Sequence, residues 1–275
     1  MSWFKKAATR AGTTLMQKTG QVERTNDSEF AEEERRFKQM EKETNNLQKE
    51  AKTYLDAMRA MAGSQTRIAE TVALFYTADR TSDGAMAGHA YKSAVDELDA
   101  GVGRELDAPF RATVLEPVGK LNSYYTAINA AIVKRNHKMT DYDAARSKMK
   151  KMIEKPSDDP TKLPKVQAEH DEARDIFNLL NDQLISELPM LLDLRIPYLD
   201  PSFEAMVRCQ LRFAQEGYEK LAGVQRQVMT YYADRWLILD RYFSENIRDD
   251  YANGALDGQV EAVLEEMKEL SIYGP

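Results

Sequence analysis

Residues 37–75 read FKQMEKETNNLQKEAKTYLDAMRAMAGSQTRIAETVALF, and a seam of apolar side chains runs through them. The seam positions follow one another in alternating steps of three and four, and ten of the twelve are apolar. A repeat sustained over about five heptads is typical of a coiled coil. The sequence therefore predicts a long helix with coiled-coil or dimer core positions at Phe37, Met40, Leu47, Tyr54, Met58, Met61, Ile68, Val72 and Phe75.

A second long helix is predicted from about His89 to Lys155. It carries an apolar stripe at helical spacing, whereas the preceding segment, residues 77–88, reads as a loop because its small and polar residues have no period. Pro109 and Pro117 are expected to bend this helix, since an interior proline removes one backbone hydrogen bond and clashes with the preceding turn.

A third helix is predicted after residues 155–165, a turn that contains three prolines. It begins near Val166, its pattern extends to Leu270, and bends or a short break are expected at Pro189, Pro197 and Pro201. Thin antiparallel helices of this length leave much apolar surface uncovered, so we expect a symmetric dimer with a six-helix core. The predicted fold class is all-α, a long, kinked three-helix antiparallel coiled coil.

Residues 2–20 have an amphipathic pattern, with Trp3, Phe4 and Leu15 on one side of a helical wheel and cations opposite. Gly12 and several threonines give this helix a low propensity, so it needs a surface to fold on. An anionic membrane interface fits best, while packing on its own domain and a frayed tail are the alternatives. The predicted domains are an N-terminal amphipathic, membrane-inserting helix over residues 1–24 and a main domain over residues 25–275.

Positive charge is concentrated in residues 134–165, where ten Lys and Arg face five Asp and Glu in a chain of net charge −7. Such a concentration is typical of a surface that binds a polyanion. A membrane explains this stretch and the basic N-terminal segment together, whereas a pI of 5.3 argues against nucleic acid. The candidate membrane-binding residues are Trp3, Phe4, Lys5, Lys6, Arg10, Leu15, Lys134, Arg135, Lys138, Arg146, Lys148, Lys150, Lys151, Lys155, Lys162 and Lys165.

The residue patterns that catalysis needs are missing. None of the three histidines follows a glutamate by three positions, which argues against a di-iron bundle, and the lone Cys209 is interpreted as a small core residue. Because nucleotide-binding and nucleophile motifs are also missing, we expect no enzyme, no metal and no cofactor. Without a long apolar run or a secretory signal, the sequence predicts a soluble cytoplasmic protein.

Several segments resemble amphiphysin-type N-BAR domains. Those similar to the second and third helices of that family are KRNHK at 134–138, DYDAAR at 141–146, FN at 177–178 and ELP at 187–189. Those similar to its short fungal branch, the reduced-viability-upon-starvation family with a BAR domain and no SH3 domain, are MSWFKK at 1–6, LQKEAK at 47–52 and IPYLDPSFEA at 196–205.

The resemblance covers nearly the whole chain and implies a crescent-shaped dimer on curved anionic membranes. It also implies roles in endocytosis with vesicle scission, actin organisation and cell polarity, at actin-patch sites of the plasma membrane, and pairing with itself or with a longer SH3-containing BAR paralogue. A cytoskeletal coiled-coil scaffold without lipid contact is the alternative. The chain departs from the family in an additional segment, residues 231–243, which is either an extension of the last helix or an artefact such as an unspliced intron.

Overall fold

In the part of the chain that the structure describes, the protein consists of helices joined by short turns. The computed structural model describes residues 3–76 and 82–231, with side chains in these ranges except at 3–5, 83, 103, 104 and 227–231. These ranges contain no strand, which agrees with the predicted all-α class. The helices are α1 Trp3–Lys18, α2 Ser28–Phe75, α3 Asp83–Gly101, α4 Asp107–Phe110, α5 Glu116–Glu154 and α6 Lys162–Tyr231.

The helices form two compact units, and both α2 and α6 contribute to each. The first unit contains Met1–Asp56 and Asp107–Cys209. The second contains Ala57–Leu106 and the part of α6 that begins at Gln210. Helix α1 and the whole basic stretch therefore belong to the first unit.

Helix α1 ends in a glycine cap. Gly20 has a φ of 74°, a left-handed conformation that glycine adopts without a steric penalty. The amide of Gln21 donates to the carbonyl of Met16 at 2.9 Å, and the amide of Gly20 donates to the carbonyl of Gln17 at 3.2 Å. These two bonds form a Schellman motif, which satisfies carbonyls that the helix end would leave unpaired. The helix predicted within residues 2–20 is present over Trp3–Lys18.

The core of the first unit joins α2, α5 and α6. Phe37 meets Tyr125 edge-on, with ring centroids 5.6 Å apart and an interplanar angle of 85°. The Tyr125 hydroxyl lies 3.0 Å from the Thr44 hydroxyl, and Leu184 and Leu188 of α6 close the cluster. Because burying a side chain of this size contributes about 1.5–3 kcal/mol, these contacts hold α5 in place between its neighbours.

The predicted seam of α2 is only partly buried within the single chain. Phe37, Met40 and Met58 are buried within the chain, as expected for core positions. Tyr54 and Val72 are half-buried. The remaining predicted core residues, whose exposed fractions rise from 37 % to 80 % along the helix, are Leu47, Met61, Ile68 and Phe75. They are not core residues of the single chain, because Leu55, Ala62 and Ala69 occupy the buried side.

The loop predicted over residues 77–88 is too long. Residues 77–81 lie outside the described ranges, but residues 83–88 belong to α3. The hydroxyl of Ser82 accepts a hydrogen bond from the amide of Ala85 at 3.3 Å and caps this helix. A Cβ at position 84 would overlap the ring of Tyr76, so the helix needs glycine there. At least one of the small residues that suggested a loop is therefore explained by close packing.

The second predicted helix is interrupted by two wide turns near its prolines. Five-residue π turns at Val102–Leu106 and Arg111–Leu115 flank α4. Pro109 and Pro117 have no amide to donate to the carbonyl four residues earlier, so the winding loosens around them. The buried residues of this region are four apart, a longer step than the 3.6 residues of a regular turn: Val102, Leu106, Phe110, Val114 and Val118.

Helix α6 has no break at the three prolines, where bends or a short break were expected. It begins at Lys162, before the predicted start at Val166, and runs through all three interior prolines to Tyr231. Leu188 and Leu192, on either side of Pro189, are both buried, so core packing holds the helix together across the proline. The predicted pattern up to Leu270 and the additional segment after Tyr231 lie outside the described residues.

Candidate functional site

The basic stretch occupies the C-terminal half of α5, the following turn and the start of α6. Lys138 is half-buried, and the other lysines of the stretch are exposed: Lys134, Lys148, Lys150, Lys151, Lys155, Lys162 and Lys165. Lys148 donates to Glu169 at 2.5 Å, and this bond lowers the pKa of the Glu169 carboxyl. These side chains are accessible to a ligand, and their contact with a membrane stays a prediction.

Arg135 does not belong to this surface, so its assignment to membrane binding was wrong. Arg135 is only 2 % exposed. Its guanidinium donates hydrogen bonds to Asp27 at 2.5 Å and to Asn181 at 2.6 and 2.8 Å. The same group lies over the ring of Phe30, 3.9 Å from the centroid. Burial lowers the pKa of Arg135, while Asp27 opposes that shift. The side chain joins α5 to α6 and to the start of α2.

Arg146 is also held within the first unit. Its guanidinium lies 3.1 Å from the carboxylate of Asp143 and donates to the carbonyl of Glu23 at 3.0 Å. It also lies 5.5 Å from the centroid of the Tyr142 ring. The side chain is half-buried, so Arg146 contributes less free charge to a membrane surface than the lysines around it.

Helix α1 is docked on α5 through its polar side. Arg10 donates two hydrogen bonds to Asp141, at 2.8 and 2.7 Å, and the bonds raise the pKa of Arg10. Gln17 donates to Asp143 at 2.8 Å, and Thr13 between them is buried. Positions 10, 13 and 17 share one helix face. The sequence predicted that this weak helix needs a surface to fold on, and in the structure α5 provides one.

Asp143 connects α1, the joint after it, and α5. Its carboxylate is fully buried and accepts hydrogen bonds from the hydroxyl of Thr25 at 2.5 Å and from the amide of Thr25 at 3.2 and 3.3 Å. It also accepts from Gln17 and pairs with Arg146. Sequence reasoning missed both Asp141 and Asp143, although two acids two residues apart within a basic stretch were a visible signal.

The apolar side of α1 faces away from α5. Ala7, Ala8 and Ala11 are exposed, and Leu15 is 65 % exposed. Lys6 is exposed as well. The side chains of Trp3, Phe4 and Lys5 lie outside those that the structure describes. The described part of α1 therefore presents an apolar face that no other helix of the first unit covers.

Exposed apolar side chains also continue along α6 in both units. In the first unit they are Leu179, Met190, Leu194, Ile196, Phe203 and Val207, with exposed fractions from 45 % to 71 %. In the second unit they are Leu211, Tyr218 and Leu221, and α2 adds Met61, Ile68, Leu74 and Phe75. Exposed apolar surface on this scale marks a site of protein or membrane contact.

Two other kinds of site are absent from the described residues. Within residues 3–76 and 82–231, no group of His, Cys, Asp and Glu is arranged to hold a metal ion. Among the helices of the same ranges, none has the length and apolar character that crossing a bilayer requires.

The family follows from comparison with known proteins. The model of the BAR domain matches residues 4–230, so the chain belongs to the BAR domain family. Its curated relatives include three fungal proteins of nearly the same length, in agreement with the predicted short fungal branch. They are the protein hob3 of Schizosaccharomyces pombe (53 % identical; 100 % of this chain, 98 % of the relative), the reduced viability upon starvation protein 161 of Saccharomyces cerevisiae (42 %; 99 % and 98 %) and the regulator of cytoskeleton and endocytosis RVS161 of Candida albicans (42 %; 99 % and 98 %).

A solved structure supports the same fold. The amphiphysin BAR domain from Drosophila matches with a TM-score of 0.56 at 23 % identity, over 76 % of this chain and 96 % of that one. At this identity the likeness concerns the fold alone. The all-α BAR coiled-coil fold predicted from the sequence is therefore confirmed.

Proposed function

We propose that the chain binds anionic membranes and senses or generates their curvature as a BAR-domain dimer. The observation that carries this proposal is the group of exposed lysines on α5 and at the start of α6, in a protein of net charge −7. Each basic side chain near an anionic leaflet contributes about 1 kcal/mol, so several on one surface give useful affinity. The apolar face of α1 adds burial at the membrane interface.

The proposed dimer is supported by apolar side chains that are exposed to solvent in the single chain. Leu47, Met61, Ile68 and Phe75 recur every seven residues or a multiple of seven along α2, and all are exposed. A heptad-spaced row is what a second coiled-coil partner would cover. The partner is a second copy of this chain or an SH3-containing BAR paralogue.

The cellular role that we propose is endocytosis, including vesicle scission, with actin organisation and cell polarity. The name of the Candida relative, a regulator of cytoskeleton and endocytosis, supports this role. The corresponding location is cytoplasmic, with the protein bound peripherally to the plasma membrane at endocytic actin-patch sites. The proposed function involves no catalytic step and no cofactor.

A coiled-coil scaffold without lipid contact is the second candidate. It is favoured by the number of basic side chains that are already paired within the chain. Arg135 binds Asp27, Arg146 binds Asp143, and Lys148 binds Glu169. In this alternative the remaining lysines only keep the surface solvated.

Co-sedimentation with vesicles separates the two candidates. Vesicles of phosphatidylcholine with increasing phosphatidylserine, at several diameters, should pellet the protein, and added salt should weaken the binding by screening. Lys134→Glu with Lys138→Glu should weaken binding about thirtyfold, since two basic contacts of about 1 kcal/mol each are lost. Lys49→Glu with Lys52→Glu makes the same charge change at exposed positions of α2 and should weaken binding less. No pelleting of the wild type on any vesicle would favour the scaffold.

A further inference from the structure

A cleft lies where the end of α1 and the turn after it meet the last turns of α5. It has a volume of about 350 Å³. Met16 and Val22 from the N-terminal segment and Met152 from α5 give it apolar walls, while Ser147, Lys151 and Lys155 bring a hydroxyl and two ammonium groups. The cleft therefore joins apolar surface to concentrated positive charge.

The docking of α1 builds this cleft. Arg10, paired with Asp141, and Gln17, bonded to Asp143, hold α1 against α5 and so position the wall that α1 supplies. The Schellman motif at Gly20 then turns the chain so that Val22 is buried beside α5. Asp141 and Asp143 are thus positioning residues for the cleft, and neither is among the residues that line it.

The lysines that line the cleft differ in how much of their positive charge is free to bind an anion. Lys148 also lines the cleft but is paired with Glu169 of α6, so part of its charge is already neutralised. Lys151 lies in the last turn of α5, and Lys155 follows the helix end, where its amide donates to the carbonyl of Lys151 at 3.0 Å. Both side chains are exposed. Their two ammonium groups are the strongest anion-binding feature of the cleft.

We propose that this cleft binds the phosphate monoester headgroup of an anionic membrane lipid. A monoester carries between one and two negative charges and has three acceptor oxygens, so it satisfies two lysines and a serine hydroxyl together. A phosphatidylserine headgroup has a single net charge and brings an ammonium group of its own, which lysines repel. The apolar walls face the hydrocarbon side of the same lipid. This inference rests on the proposed membrane binding and adds a preference among anionic lipids.

The test compares vesicles that contain phosphatidic acid with vesicles that contain phosphatidylserine, adjusted to equal surface potential. We expect the wild type to bind the phosphatidic acid vesicles about fivefold more tightly than the phosphatidylserine vesicles, which is the factor for one further basic contact. The quantity to compare is this ratio of the two affinities. Lys151→Gln with Lys155→Gln should bring this ratio close to one. The matched control, Lys134→Gln with Lys138→Gln, should weaken binding to both vesicles and keep the ratio. Thermal unfolding of every variant checks that the fold is intact.

The role of the Arg10–Asp141 pair in positioning α1 beside the cleft is tested by exchanging the two charges. Arg10→Asp and Asp141→Arg should each lower the ratio, and the double variant should restore it because the ion pair is re-formed in the opposite sense. A ratio that falls in both single variants and is not restored by the exchange would overturn the role of the docked helix.

The remaining outcomes distinguish a lipid headgroup from a free phosphate and the cleft from the rest of the surface. If sn-glycerol 3-phosphate in solution, without vesicles, binds the protein as tightly as phosphatidic acid vesicles do, the ligand is a free phosphate and the lipid assignment is overturned. Equal binding of the wild type to both vesicles overturns the cleft but leaves the proposed function standing. Absence of binding to either vesicle overturns the proposed function itself. A preference that survives in the Lys151 and Lys155 variant overturns the cleft as its site.

Discussion

Arg135 and Asp27, 108 positions apart in the chain, form an ion pair at 2.5 Å with side chains only 3 % and 15 % exposed. Asp27 also caps α2 by accepting a hydrogen bond from the amide of Phe30. One carboxylate thus fixes the start of α2 and neutralises a cation inside α5. Charge alone had suggested that Arg135 faces a membrane, and its partners show that it is structural.

Replacing Asp27 by Asn tests this role. Asparagine caps a helix about as well as aspartate, so the change removes the charge and keeps the cap. Because it leaves Arg135 buried without a counter-charge, we expect a loss of about 3–5 kcal/mol in the free energy of unfolding, measured with urea. Lys134→Gln, at the exposed neighbour of Arg135, should change it by less than about 0.5 kcal/mol. Equal stability of the two variants would contradict the structural role.

Tyr125 makes the stability of the first unit sensitive to alkaline pH. Burial raises the pKa of its hydroxyl, while the hydrogen bond with Thr44 opposes that shift. The unfolded chain ionises tyrosine near pH 10 and the folded chain keeps the proton, so stability is lost as pH rises through about 10. At pH 8, Tyr125→Phe should cost about 1 kcal/mol for the lost hydrogen bond, and this deficit should shrink above pH 10. Tyr124→Phe, at an exposed position, is the control, and a deficit that grows with pH would contradict the prediction.

The docking of α1 should be visible without any membrane. Hydrogen exchange of the full chain should show the amides of residues 10–18 protected at least about tenfold over coil rates, because the helix is held by α5. Arg10→Asp should remove this protection, and adding Asp141→Arg should return it. Coil-like exchange in the wild type would mean that α1 folds only on a lipid surface.

The exposed apolar residues that recur at heptad spacing along α2 predict a dimer, and charged substitutions among them should disrupt it. Sedimentation at micromolar concentration should give a dimer for the wild type. Met61→Glu with Ile68→Glu should give a monomer, since both side chains are open in the single chain. Thr53→Glu with Thr71→Glu, at exposed polar positions of the same helix, should leave the dimer unchanged. A wild type that sediments as a stable monomer would refute the proposed assembly.

The sequence predicted the helices well because their apolar periods are regular. Phe37, Met40 and Met58 follow the seam and are buried, as local spacing alone requires. Met61 and Ile68 belong to the same seam but are open, because a period identifies apolar positions without saying which chain covers them. At Pro189 a bend or a short break of α6 was expected, but the helix has no break there, because Leu188 and Leu192 on either side of the proline are buried against other helices.

The candidate site was harder to predict because its charges are paired over long sequence distances. The helical wheel separated the two sides of α1, but the cations of its polar side, Arg10 among them, were assigned to an anionic membrane. That side binds Asp141 and Asp143, which lie more than a hundred residues away. Likewise, whether a basic residue of α5 is free or paired depends on α2 and α6, as Arg135 and Lys148 show. Spacing within one helix does not contain this information.

The wide turn at Arg111–Leu115 has a consequence for how the gene tolerates change. Phe110, Val114 and Val118 are buried and lie four residues apart. The wide turn keeps them on the same side of the chain, and α5 continues after it with ordinary helical pitch. A wide turn holds one residue more than an ordinary helical turn, so deleting one residue there restores ordinary pitch and leaves the later side chains of α5 in place. The same deletion between Val118 and Tyr125 would rotate every later side chain of α5 by about 100° around the helix axis and move Tyr125 out of the core. A one-codon deletion between these two residues should therefore be far more damaging than one in the wide turn.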